Sequence, residues 1–147
     1  MKRSPQILLH VFFPLLVGGL IYLCWRSQSM LMFDWVHSLG LSSTTELLRS
    51  STSSYRWIIP DWILYSGPDG AWVWSMTSCY TLIWKRIRCR ESAFWISLSL
   101  ILGVGGELGQ LTAMVPGTFD FIDIAVMTIC AFLPYFLLTR KTTLDPS

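Results

Sequence analysis

An uncharged apolar run near the start of the chain limits every later choice. From Gln6 to Trp25 the sequence reads QILLHVFFPLLVGGLIYLCW, with Lys2 and Arg3 before it and Arg26 after it. A helix of that length, rising ~1.5 Å per residue, reaches across a ~30 Å hydrocarbon core. A cleaved signal peptide is the rival reading. The apolar stretch is too long for one, and no small-residue cleavage site follows it. Ile21, Tyr22 and Leu23 are too bulky for a lipoprotein site ahead of Cys24. The expectation is an uncleaved membrane span.

Composition points the same way. Hydrophobic residues make up 52% of the 147, charged residues only 14%, and mean hydropathy is +0.50. Soluble domains carry about 25% charged residues. The eight Trp suit a membrane–water interface, where the ring is apolar and its N–H is wet. A net charge of +2, with no basic block beside a polar domain, argues against nucleic acid.

The rest of the chain divides into a long connection and three more apolar segments. Residues 26–69 have a Ser/Thr-rich middle in which Ser43-Thr44-Thr45-Glu46 fits a capping box for a short helix over Thr44 to Arg49. Met30 to Val36 and Trp57 to Tyr65 flank it and are too short to span. They read as interfacial segments, or as segments folded back over the helices. A simple polar tether is an equal alternative for this loop. The further spans are expected at about 70–84, 93–111 and 121–138, with Pro116-Gly117 marking the turn between the last two.

Lys and Arg collect in cytoplasmic loops. In the end regions and short loops they occur at 2–3, at 85, 86, 88 and 90, and at 140–141, while residues 112–120 have none. Four spans put all three basic regions on one side. The expected fold is therefore all-α: a four-helix transmembrane bundle, N-in/C-in, with a long extracytoplasmic loop between helices 1 and 2, in one membrane domain.

That topology brings carboxylates together. Asp69 opens the second span, Glu107 lies near the outer end of the third, and Asp120 and Asp123 open the fourth. Ionised groups at bilayer depth cost ~2.5 kcal/mol or more, so they turn toward a bundle interior or a wet cavity. Glu107 and Gln110 are three residues apart and share a helix face, which Gly103 joins. Asp69, Glu107, Gln110, Asp120 and Asp123 are thus the candidate ligand-binding residues. Asp69 and Asp120 also suit plain helix capping. Gly103, Gly105, Gly106 and Gly109 are candidate packing residues, with Gly105 and Gly109 forming GxxxG. His10 reads as a packed neutral side chain, and His37 could fold over the cluster. Cys24, Cys79, Cys89 and Cys130 lack metal spacing and read as free thiols. No metal site, cofactor motif or hydrolase signature is found.

Glu107-x-x-Gln110, a short link, and Phe119-Asp120-x-x-Asp123 at the start of a last helix resemble the VanZ-like family. These are small bacterial membrane proteins, some associated with low-level glycopeptide resistance. The resemblance covers about residues 68–138. The family's acid-plus-Gln pair matches Glu107 and Gln110, and its Asp on the next helix matches Asp123. The chain departs from the family in having no Arg in the link and Met127 where an Asn is common. The resemblance implies a bacterial cytoplasmic (inner) membrane and brings no mechanism with it.

Three functions fit. The first is a cell-envelope protein binding a membrane lipid, a lipid-linked cell-wall precursor or a cation at the cluster. The second is an intramembrane enzyme using Glu107 or Asp123 as acid or base. The third is an assembly subunit whose glycine seam docks another membrane protein.

Overall fold

The computed structural model describes residues 3–28, 31–84, 87 and 89–139. Lys2, Lys85, Arg86, Arg88, Arg140 and Lys141, which carry most of the orientation signal, lie outside them. Every regular element among the described residues is helical. Three helices are long and apolar enough to cross a membrane: Pro5–Trp25, Arg90–Leu111 and Phe121–Thr139.

The first of these contains a break in winding. α1 (Arg3–Ile7) runs into a π turn (Leu8–Phe12) and then α2 (Phe13–Trp25). The Phe13 N–H reaches back five residues to the Leu8 carbonyl. Pro14 explains this, because a proline within a helix lacks its N–H and its ring crowds the carbonyl four residues back. The widened turn is fastened to the next long helix: Ser75 Oγ donates to the Val11 carbonyl at 2.8 Å. The His10 ring stacks on Trp74, with centroids 6.2 Å apart.

Residues 26–69 are not an open tether. They fold into α3 (Leu31–Ser38), α4 (Ser42–Thr52) and the short α5 (Asp61–Tyr65). α4 begins before the expected capping box, with Leu41 at its N-cap and no side-chain cap bond. It is tied to the end of α2. Arg49 donates to the carbonyls of Leu23 at 2.8 Å and Arg26 at 3.0 Å. Trp25 Nε1 donates to the Thr52 carbonyl at 3.2 Å. The last carbonyls of a helix have no partner within it, and a basic side chain there satisfies them and suits the dipole.

α6 (Gly67–Trp84) is the axis of the molecule. It packs on α2, on α7 (Arg90–Leu111) and on α8 (Phe121–Thr139), and α7 also meets α8. Its buried residues face several directions and are mostly small or hydroxylic: Gly70, Val73, Ser75, Thr77, Ser78 and Thr81 among them. Thr77 and Ser99 share a hydrogen bond between α6 and α7. Val73, Met127 and Ala131 form a small apolar core, with Leu100 and Cys130 against it. α2, α7 and α8 bury one stripe each and leave Leu16, Ile101, Ile129 and Phe132 exposed. A surface of that kind belongs in lipid.

Close approach falls on glycines other than the expected seam. A Cβ on Gly70 would stand 2.6 Å from Val126 Cγ1, and one on Gly103 2.6 Å from Met127 Sδ. On Gly18 it would meet Ala71 Cβ at 3.1 Å. Gly109 packs against Val115 of the following link. Gly105 and Gly106 meet nothing within 4 Å, so neither makes a close helix contact within this chain. At roughly 100° per residue, Gly105 and Gly109 lie on the side of α7 opposite Gly103 and Glu107.

α7 ends in a Schellman turn. Met114 N–H bonds the Gly109 carbonyl at 2.9 Å and Ala113 N–H the Gln110 carbonyl at 3.0 Å. Ala113 sits at φ 56°, where L-residues are strained. Ala113→Gly relieves this and should stabilise the protein by about 0.5–1 kcal/mol after glycine's entropy cost. The check is the thermal midpoint in detergent, which should rise.

Candidate functional site

The five polar residues singled out from the sequence line one cavity of about 670 Å³. It lies at the end of the molecule where α2 stops, α6 and α8 start, and α7 gives way to the 112–120 link. Its size falls within the roughly 300–1,000 Å³ of small-molecule sites. Asp69 comes from the first turn of α6, Glu107 and Gln110 from the last turns of α7, and Asp120 and Asp123 from the start of α8.

The five are not equivalent. Asp120 caps α8: its Oδ1 accepts the Ile122 N–H at 2.8 Å. Its side chain thereby satisfies a helix-terminal donor. Glu107 is buried, at 5% exposure. Its Oε1 accepts from Gln110 Nε2 at 3.2 Å, and its Oε2 accepts the Asp120 backbone N–H at 3.2 Å. Glu107 therefore pins the end of the link to α7. Gln110 also packs against Gly117, whose φ of 146° favours glycine and whose missing side chain makes the room.

Asp69 and Asp123 remain. Asp69 is half-buried and feels the charges of Asp123, Glu107 and Arg26. Asp123 is half-buried too, and its Oδ1 is shut off from solvent with no hydrogen-bond partner. An unpaired buried oxygen costs about 1–3 kcal/mol, so it marks a place where a donor belongs.

The rest of the lining was not singled out from the sequence. Tyr22, Arg26, Tyr65 and Ser66 belong to it, beside Asp61 and Trp62. Asp61 is neutralised by Arg56 at 2.6 Å. The Arg26 guanidinium lies 5.2 Å from the Tyr22 ring centroid and 5.3 Å from that of Tyr65, a double cation–π contact. One signal could have found Arg26. On the N-in topology expected from the sequence, it would be a positive charge at the outer end of the first span, against the usual bias.

The two histidines and the four cysteines lie apart from this cavity. His37 lines a separate 270 Å³ pocket with Phe33, Asp34, Thr45 and Glu46. His10 is held by Trp74 in the π turn. The four cysteines are free. No three His, Cys, Asp or Glu side chains among the described residues are grouped so as to hold a metal ion.

A cavity of this kind, lined by several carboxylates and by Arg26, can hold a polar group through hydrogen bonds and charge. No protein-family model, curated protein or solved structure matches the chain.

Proposed function

We propose that this is a small four-span protein of a bacterial cytoplasmic membrane, with both termini in the cytoplasm, that receives the polar head of an amphiphile in the outward-facing 670 Å³ cavity. α6 serves as the fourth span. Its 18 residues give roughly 27 Å of helix, close to the hydrocarbon thickness. Its polarity is tolerable because other helices, not lipid, line it. A place among VanZ-like proteins rests on the Glu107, Gln110 and Asp123 pattern alone.

The observation that carries the function is the buried, unpartnered Asp123 oxygen in a cavity that Asp69 also lines. It favours a head group with N–H or O–H donors, which can supply the missing partner. Catalysis by Glu107 is less well supported, since both its oxygens already hold the link.

Native mass spectrometry of the detergent-purified protein tests this. The wild type should retain a lipid through mild delipidation. Asp123→Asn keeps the size, removes the charge and should weaken retention about ten-fold or more, the worth of one charge-assisted bond of ~1.5–3 kcal/mol. Equal retention by Asp69→Asn/Asp123→Asn and the wild type sinks the proposal.

A further inference from the structure

We propose that Arg26 and Ser66 form an anion subsite in the same cavity, and that the head group it takes is zwitterionic: a phosphodiester joined to a primary ammonium. The inference rests on the amphiphile reading above and names its ligand class.

The first observation is a pair of orphaned donors. Arg26 Nε is buried and has no hydrogen-bond partner. Ser66 is 1% exposed, and its hydroxyl has no partner either. Both residues line the cavity. Buried donors left unpaired are rare in native structures, and two beside one cavity point to an acceptor that the chain does not supply. A planar guanidinium suits phosphate oxygens, and the Tyr22 and Tyr65 rings, 5.2 and 5.3 Å from it, help hold it beside the cavity.

The second observation is the charge of the surroundings. Among the described residues, Arg26 is the one basic side chain lining the cavity, against Asp69, Glu107, Asp120 and Asp123. A lone phosphate at Arg26 meets a net negative field. A lone cation at Asp123 leaves Arg26 and Ser66 unsatisfied. A head carrying both charges satisfies the Arg26 and Ser66 donors and the orphaned Asp123 oxygen together. Phosphatidylglycerol offers that oxygen only neutral hydroxyl donors, without the positive charge that the acidic surroundings favour.

The test uses the full chain in detergent, titrated with phosphatidylethanolamine and phosphatidylglycerol of identical acyl chains and followed by native mass spectrometry. The wild type should prefer phosphatidylethanolamine about ten-fold or more. Arg26→Gln should weaken binding of both lipids by a similar factor. Asp123→Asn should abolish the preference, by weakening phosphatidylethanolamine more than phosphatidylglycerol. If Arg26→Gln does not fold, Ser66→Ala replaces it: that hydroxyl bonds nothing in the protein, so its removal leaves the fold intact and should still weaken both lipids. Soluble glycerophosphoethanolamine is the competitor. Competition at equal concentration supports the subsite with a water-soluble source, and no competition supports it with a lipid source. Equal binding of the two lipids by the wild type overturns the inference. So does unchanged phosphatidylethanolamine binding in Arg26→Gln or Ser66→Ala, and if Asp123→Asn still weakens binding the amphiphile reading survives alone. Failure of the wild type to retain either lipid overturns both.

Discussion

Glu107→Gln is expected to lower stability by about 1–3 kcal/mol, although the two side chains share one shape. Both partners of Glu107 are donors: the Gln110 amide and the Asp120 backbone N–H. A carboxylate accepts on both oxygens. An amide accepts on one and must point its own NH₂ at the other donor. One bond is lost, and two donors face each other in a nearly buried position. The thermal midpoint in detergent should fall, and limited proteolysis should cut sooner within 112–120, because the link loses its attachment. A midpoint equal to that of the wild type would show that this carboxylate does not hold the link. The substitution therefore cannot serve as a silent probe of charge at the site.

Gly70→Leu should have the larger effect on the fold. Even a methyl group there would overlap Val126 Cγ1 and crowd Cys130 Sγ, at 2.6 and 3.1 Å, where α6 meets α8. Val126 is branched and cannot swing aside as a long side chain can. Gly103→Leu meets Met127 and then Val73. Met127 yields to a small group, but a leucine overfills the one apolar core cluster found among the described residues. Overpacking costs about 1–3 kcal/mol at each site. Gly105→Leu and Gly106→Leu point into open space, and each should gain up to ~1 kcal/mol of helix propensity. The fraction of monodisperse protein after solubilisation separates the two pairs. Equal losses for all four would mean that the open face of α7 is occupied in the membrane.

Much of the layout was legible in the sequence. Apolar length placed the long helices to within about three residues, with α7 starting at Arg90 and α6 at Gly67. The carboxylates share a cavity because each lies at a helix end and alternate ends of successive antiparallel helices fall together. That inference needed only the number of helices. Of the four glycines, Gly103 and Gly109 make close contacts within the chain and Gly105 and Gly106 do not, because a spacing of four names a face without saying which way it turns. Arg26 and Ser66 were hidden for another reason. Both border the 26–69 segment, and their environment depends on Arg49 and Trp25 drawing α4 back onto α2, a long-range attachment that no local pattern encodes. Asp120 and Glu107 were read as part of a ligand site, but each oxygen that bonds in the structure bonds the chain's own backbone or Gln110.

The encircled position of α6 bears on how such a chain enters a bilayer. It carries Asp69 and a series of hydroxyl side chains, and it falls short of the apolarity by which α2, α7 and α8 qualify as spans. Left alone at the exit of an insertion machine, it would partition poorly. Its companions on two flanks, α7 and α8, are synthesised after it. If α6 is the span proposed above, it settles only once α7 and α8 have emerged, and its insertion is then a collective event.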